Sequence, residues 1–234
     1  MTIFERALDF IPEGSVVGLG SGRASAEFIK CLGARVRAGF KIRGVATSEE
    51  SARLAREQAI FITSLEDQMT IAVTVDGADE IDPQLNLIKG YGRALLREKI
   101  VAAASRQLVI LAGREKLVQT LGERNKLPVE IVPFALPLCR RRLSELGLQP
   151  VLYERDDRPF LTDNGNYIVD CLINRLPNPA ELECKLRAIP GVVGTGLFLD
   201  MADIVLIGDE NFHLIEERRR TDIAAKKNAP CNSS

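Results

Sequence analysis

The sequence predicts an α/β protein whose first half forms a mostly parallel sheet covered by helices. Two largely apolar runs, 71–75 and 108–112, have no polar face to turn toward water. Such runs are typical of buried strands in parallel sheets, and segments with helical spacing of apolar residues alternate with them. The pattern changes near Leu127–Pro128, which predicts a second and smaller unit.

The elements of the sheet domain follow in order along the chain. An apolar run that ends in glycines, 15–20, predicts the first strand, and Ser48 is a residue type that favours a helix N-cap before Glu49. We interpret the first half of the chain as a Rossmann-like, mostly parallel sheet domain. Its predicted strands lie at 15–20, 39–46, 71–75 and 108–112, and its predicted helices at 24–32, 49–58 and 94–104.

The second half has the element order of a small, ferredoxin-like α+β domain. The turn signal Thr-Asp-Asn-Gly-Asn at 162–166 precedes a strand-like run. The segments in order are strand 129–132, helix 138–146, strand 150–154, strand 167–173, helix 180–188 and the run 191–198. A last apolar run, 202–208, is expected to return to the first sheet.

We therefore predict a division into three regions. Residues 1–127 with about 203–220 form the α/β sheet domain, and residues 128–202 form the small α+β domain. The polar tail, 221–234, lacks periodicity and is expected to be mobile.

Composition excludes several classes of protein. Of 234 residues, 31 are Lys or Arg and 32 are Asp or Glu, so the net charge of −1 argues against DNA binding through bulk charge. No apolar run is long enough to span a membrane, and the start, Met1–Arg6, lacks the pattern of a signal peptide. The five cysteines are widely spaced, which excludes a zinc site of the usual spacing and predicts reduced thiols in the cytoplasm.

The single histidine, His213, limits the available chemistry. A Ser-His-Asp system or a histidine-rich metal site would have to use it, yet it lies in a polar stretch with no nucleophile motif nearby. We expect His213 to be an ordinary surface residue. If the protein is an acid–base enzyme, its base is then a carboxylate.

Three short motifs could carry chemistry. The glycine-rich turn 18–22 suits either phosphate binding at a helix N-terminus or a plain tight turn. Asp76 and Asp79 follow a predicted strand, where ligands of α/β sheets collect, although a solvated acidic turn would look the same. Lys89 lies beside glycines and could stabilise an oxyanion, whereas Glu98 alone would more often be a surface helix residue.

The combination is more specific than its parts. Val75–Asp82 (Val-Asp-Gly-Ala-Asp-Glu-Ile-Asp), Leu87–Gly92 (Leu-Ile-Lys-Gly-Tyr-Gly) and Leu96–Ile100 (Leu-Arg-Glu-Lys-Ile) resemble the motifs of type A ribose-5-phosphate isomerase. The resemblance extends through the other motifs from about residue 6 to 210. It implies an aldose–ketose isomerase of the non-oxidative pentose phosphate branch, acting through an enediolate with no metal or organic cofactor. It also implies a homodimer.

The resemblance implies a role for each matched residue. Glu98 would move the proton between C2 and C1, and Lys89 would stabilise the enediolate oxygen. Asp76 and Asp79 would hold the opened sugar, and Lys116 would contact the phosphate. Further substrate contacts are implied for the two glycine loops, at Gly20, Ser21, Gly22, Gly90 and Gly92.

The chain departs from the family pattern at the residues expected to bind the substrate phosphate. Arg23 and Ala24 stand where the family has hydroxyl residues, and Tyr91 and Arg93 interrupt a loop that is usually almost all glycine. We hypothesise that Arg23 binds the substrate phosphate, the alternative being a first-turn helix residue that points to solvent. The altered loop leaves open two other functions, isomerisation of another phosphosugar and non-catalytic binding of a sugar phosphate.

Overall fold

The computed structural model describes residues 1–65 and 70–220, and the predicted mobile tail lies outside them. The chain divides into two compact units. The first comprises residues 1–78, 97–117 and 201–219, and the second comprises residues 79–96 and 118–200 with Arg220. Residues 79–96 and 118–127 thus fall in the second unit, whereas the sequence pattern grouped them with the sheet domain.

In chain order, the strands are β1 (Val16–Leu19), β2 (Arg43–Ala46), β3 (Phe61–Ile62), β4 (Val73–Gly77), β5 (Glu80–Ile81), β6 (Leu87–Ile88), β7 (Leu108–Gly113), β8 (Lys126–Ile131), β9 (Gln149–Leu152), β10 (Glu154–Arg155), β11 (Arg158–Pro159), β12 (Tyr167–Leu172), β13 (Val192–Thr195), β14 (Leu197–Phe198), β15 (Ile204–Gly208) and β16 (Leu214–Arg219). The α-helices are α1 (Ile3–Leu8), α2 (Arg23–Arg37), α3 (Glu49–Glu57), α4 (Leu95–Ala103), α5 (Leu136–Glu145) and α6 (Pro179–Arg187), and short 3-10 turns occupy Arg114–Lys116 and Pro133–Ala135.

The first unit contains a seven-stranded sheet in the order β16-β15-β7-β4-β1-β2-β3. All neighbouring strands are parallel except the edge strand β16, which is antiparallel to β15. The central strands are buried because their side chains are apolar on both faces, as in β15, where every residue is buried. The predicted mostly parallel α/β sheet is confirmed, and 202–208 does return to it as β15.

The second unit contains a four-stranded sheet in the order β13-β8-β12-β9, with all neighbours antiparallel. The chain runs β8-α5-β9-β12-α6-β13, which is the strand and helix order of a ferredoxin-like domain. A three-stranded sheet, β14-β6-β5, and the β10-β11 hairpin complete this unit. In the described part of the chain, no helix is long and apolar enough to cross a membrane.

Candidate active site

Asp76 lies near the carboxyl end of β4 in the first unit and is 1% exposed. Its Oδ1 accepts hydrogen bonds from the backbone N–H groups of Ser21 (3.1 Å) and Gly77 (2.8 Å) and from the hydroxyl of Ser25 (3.1 Å). Three donors on one oxygen fix the orientation of the carboxylate and offset the cost of burying it. Asp76 is therefore a rigidly held acidic group at the edge where ligands of such sheets bind.

Gly20 is the residue that lets the chain approach Asp76 so closely. A Cβ atom at this position would overlap the Asp76 carboxylate and lie 2.6 Å from the Asp76 Cα. The Gly20 N–H also donates to the Val75 carbonyl at 3.0 Å, which ties the glycine turn to β4. The predicted substrate-binding turn is thus built directly against the predicted acidic residue.

The hydroxyl of Ser21 belongs to a cluster of hydroxyl groups in the first unit. Its Oγ is within hydrogen-bond distance of Thr47 Oγ1 (2.7 Å), Ser48 Oγ (2.8 Å) and Ser51 Oγ (3.3 Å). Ser48 is the N-cap of α3, as predicted, and its Oγ accepts from the Ser51 N–H at 3.1 Å. Ser21 therefore orders the turn through its neighbours, while its N–H holds Asp76.

Arg23 begins α2, directly after the N-cap residue Gly22, whose φ of 87° suits glycine. The Arg23 side chain is exposed, and its guanidinium carbon lies 5.4 Å from the centre of the Phe212 ring. A stacked guanidinium keeps its N–H groups in its own plane, where they can still reach an anion. The contact partner of Arg23 within the first unit is thus an aromatic ring.

Two further predicted residues of the first unit are Glu98 and Lys116. Glu98 is on α4 and is only 3% exposed, although its neighbours Arg97 and Lys99 are partly exposed. Lys116 ends the 3-10 turn that follows β7 and is partly buried. The burial of Glu98 removes the interpretation of this residue as an ordinary surface glutamate.

Lys89 and Asp79 lie in the second unit. Lys89 follows β6, is 3% exposed, and places its Nζ 5.4 Å from the centre of the Phe198 ring. Asp79 is partly buried, and its Oδ2 accepts a hydrogen bond from the Tyr91 N–H at 3.0 Å. The structure therefore connects Asp79 with the loop that carries Lys89.

The lysine loop, residues 89–93, is folded as a tight turn. Gly90 has a φ of 104°, and its carbonyl accepts from the Arg93 N–H at 3.0 Å. Gly92 is exposed, and a Cβ atom at this position would meet nothing within 4 Å. The Tyr91 hydroxyl donates to the Lys126 carbonyl at 3.2 Å. Burial, with smaller contributions from the Glu80 and Asp79 charges, raises the pKa of Tyr91, so the phenol is a neutral donor.

Arg93 makes a buried ion pair that the sequence did not predict. Its Nη1 and Nη2 donate to the two carboxylate oxygens of Asp170 at 2.6 and 2.9 Å, and its guanidinium carbon lies 3.6 Å from the centre of the Tyr153 ring. Asp170 is on β12 and pairs in register with Pro128 and Val151. The sequence did contain one signal for this ion pair, because Asp170 is the single charged residue in the otherwise largely apolar run of β12.

His213 is a surface residue, as predicted. Its side chain is 61% exposed, and its Nδ1 is 3.3 Å from Asp209 Oδ2. The His213 backbone N–H is the main cause of a lowered pKa for Asp209. Among residues 1–65 and 70–220, no group of three or more His, Cys, Asp or Glu side chains is arranged to hold a metal ion.

The chain is similar to known proteins along most of its length. A family model described as ribose 5-phosphate isomerase A (phosphoriboisomerase A) matches residues 43–212. The ribose-5-phosphate isomerase A of Roseiflexus castenholzii is 48% identical over 206 residues, which cover 87% of this chain and 88% of that protein. The enzyme of the same name from Gloeobacter violaceus is 45% identical over 210 residues, which cover 89% and 91%.

Solved structures give the same result. A D-ribose-5-phosphate isomerase in complex with phospho-erythronic acid has a TM-score of 0.88 and 40% identity, with 93% of this chain and 96% of that chain covered. Ribose 5-phosphate isomerase A from Methanocaldococcus jannaschii has a TM-score of 0.87 and 36% identity, with the same coverage.

Proposed function

Given that the chain belongs to the ribose 5-phosphate isomerase A family and interconverts ribose 5-phosphate and ribulose 5-phosphate, we propose that Glu98 is its general base and Lys89 its electrophile. The observation that carries this proposal is burial. Both charged side chains are 3% exposed, and charged residues are rarely buried to this degree unless they are paired or functional.

The reaction requires one proton to leave C2 of the aldose and one to arrive at C1. A carboxylate can accept the first and deliver the second, so Glu98 alone can act on both carbons of an enediolate intermediate. Its position one turn into α4 anchors it on a rigid element. A base on a helix is held more accurately than one on a loop.

Negative charge develops on the substrate oxygen as the enediolate forms. The Lys89 ammonium would stabilise that charge, and it would do so more strongly than in water because it is buried. Asp76 and Asp79 would hold the hydroxyls of the opened sugar. The hydrogen bonds from Ser21, Ser25 and Gly77 already orient Asp76 for such a role.

The phosphate-binding part of the site is where this chain differs from the family pattern. We assign it to Gly20, Ser21, Gly22 and Arg23 with Lys116, and further substrate contacts to Gly90 and Gly92. The N-terminus of the 15-residue helix α2 favours an anion beside Gly22, and the adjacent guanidinium adds a full positive charge. Stacking on Phe212 would hold that guanidinium in place.

Replacing Arg23 with alanine tests both the identity of the substrate and the role of Arg23 in binding its phosphate. Following ribose 5-phosphate by NMR, we expect the wild-type protein to form ribulose 5-phosphate. Arg23→Ala should weaken substrate binding by about 1.5–3 kcal/mol, the range for a charged hydrogen bond. Unphosphorylated ribose should be affected much less. Arg35→Ala is a matched control, because Arg35 also stacks on an aromatic ring, Phe40, at the other end of α2.

Equal losses for the phosphorylated and unphosphorylated sugars, or no loss for either, would contradict the assignment of Arg23. A wild-type protein that converts neither sugar would contradict the proposed catalytic residues as a set.

We also propose that the enzyme is a cytoplasmic homodimer. The described cysteines Cys31, Cys139, Cys171 and Cys184 are free thiols, as in proteins of reducing compartments. A homodimer is the state that the resemblance to the family implies, most simply with twofold symmetry. Light scattering at micromolar concentration is expected to give twice the mass of one chain, and a monomer mass would contradict the dimer.

A further inference from the structure

Arg93 has a backbone conformation that is unfavourable for arginine. Its φ is 69°, in the left-handed region that glycine adopts without strain. The cost is offset by the bidentate ion pair with Asp170 and by the stacking on Tyr153. Because the Arg93 side chain is only 7% exposed and that of Asp170 14%, this pair is little weakened by solvent.

A second anchor holds the same loop two residues earlier. The Tyr91 hydroxyl donates to the Lys126 carbonyl, and the Lys126 Nζ lies 4.1 Å from the centre of the Tyr91 ring. The same ammonium is 3.9 Å from Asp170 Oδ2. Asp170 and Lys126 therefore support both Tyr91 and Arg93, the two large side chains of the loop. We call these four residues the loop clamp.

The clamped segment, residues 89–93, carries Lys89 and contacts Asp79, which are two groups of the proposed site. Lys89 begins it, and the Tyr91 N–H donates to the Asp79 carboxylate at 3.0 Å. Gly90 and Gly92 give the segment freedom that must be lost before Lys89 and Asp79 are correctly placed. Side chains that fix positions 91 and 93 would remove that freedom in advance.

We propose that the loop clamp is a positioning device for Lys89 and Asp79, with the Arg93–Asp170 pair as its main contact. The proposal rests on the catalytic roles proposed above for these two residues. The clamp residues touch neither the substrate nor the reacting atoms; they act by holding the loop. A site held in advance spends less binding energy on ordering itself, so the gain is expected in turnover more than in substrate affinity.

The test combines kinetics with amide hydrogen exchange on the full-length enzyme. Arg93→Met removes the guanidinium and its charge. Arg93→Gly removes them too and also relieves the strain of the left-handed backbone conformation, so this second variant is expected to fold. In both, kcat per folded site should fall about 10- to 100-fold, as for a displaced catalytic group. KM should change less than about threefold, because little uniform binding is removed. The amides of Tyr91 and Arg93 should exchange faster.

Three further variants separate positioning from plain stability. Asp170→Asn breaks the same pair from the other side and also weakens the contact with Lys126, so it should lose at least as much turnover as Arg93→Met. The double variant with Arg93→Met should lose no more than Asp170→Asn alone. Thr162→Val removes a buried hydrogen bond to Glu130 in the same unit. This control should lower the unfolding temperature and leave kcat and the exchange of loop 89–93 unchanged.

The outcomes are distinguishable. Unchanged exchange in Arg93→Gly would overturn the clamp, and faster exchange with unchanged kcat would overturn its positioning role. Lys89→Met, measured in parallel, tests the premise. Near wild-type turnover in that variant would refute the catalytic role of Lys89, whatever Arg93 does, whereas a loss in Lys89→Met without one in Arg93→Gly would refute the clamp alone.

Discussion

Replacing Glu98 with glutamine is expected to lower kcat about 10²–10⁴-fold, the usual contribution of a general base. Glutamine has nearly the same shape as glutamate but cannot accept the C2 proton. Because Glu98 is buried within α4, the amide should occupy the same space, and KM should change little. A fall in kcat and kcat/KM together with a steady KM indicates an interaction needed in the transition state.

The measurement is NMR of ribose 5-phosphate in heavy water, which reports turnover and exchange of the carbon-bound proton at once. Glu57→Gln is the matched control, since Glu57 ends α3 and forms an exposed ion pair with Arg53 at 2.7 Å. It should retain wild-type turnover, as exposed ion pairs contribute little. Turnover and proton exchange near wild type in Glu98→Gln would show that another group is the base.

The fold class could be predicted because the decisive strands are apolar on both faces. β4, β7 and β15 are recognisable from sequence for that reason. In the second half, the pattern change at Leu127–Pro128 and the turn signal at 162–166 placed β8 and β12 in the right order. α1 was missed because it has only six residues. Its signal was available in the Thr2–Glu5 spacing, which forms a capping box.

Elements that depend on a partner could not be predicted in the same way. β16 consists largely of charged residues and becomes a strand by pairing antiparallel with β15 at the sheet edge. The same limit applies to contacts. Arg93 and Asp170 are 77 positions apart, and their pairing depends on the register of β12, which no local spacing encodes.

The predicted site shows where chemistry can be inferred without a fold. Asp76 was placed by a general rule about strand ends, and its burial and hydrogen bonds agree with that placement. Glu98 had no local signal, because burial of one helix face depends on what packs against it. For Arg23, the sequence analysis considered only the substrate phosphate or solvent as the surroundings of the side chain. Neither interpretation included the Phe212 ring, which Arg23 contacts in the structure. The assigned roles remain predictions until the variants are measured.

Replacing Gly20 with alanine is expected to be the most damaging small change in the glycine turn. The new methyl group would overlap the Asp76 carboxylate, and it would also lie 2.6 Å from the Asp76 Cα, so a side-chain rotation cannot relieve the contact. β1 or β4 would have to shift, and both are interior strands of the seven-stranded sheet. Overpacking of this kind costs about 1–3 kcal/mol. We therefore expect the free energy of unfolding to fall by about that amount.

The activity of Gly20→Ala should fall further than the loss of stability explains, because the displaced carboxylate is the one that would hold the substrate. The control is Gly77→Ala, on the strand that carries Asp76, since a methyl group there would meet neighbours only at 3.8 and 3.9 Å. Urea unfolding and kcat/KM measured below the transition separate the two effects. We expect Gly77→Ala to stay close to wild type in both, while Gly20→Ala loses kcat/KM even where it is fully folded. A folded Gly20→Ala with unchanged kcat/KM would mean that the position of Asp76 can shift without consequence, and the role assigned to that carboxylate would have to be abandoned.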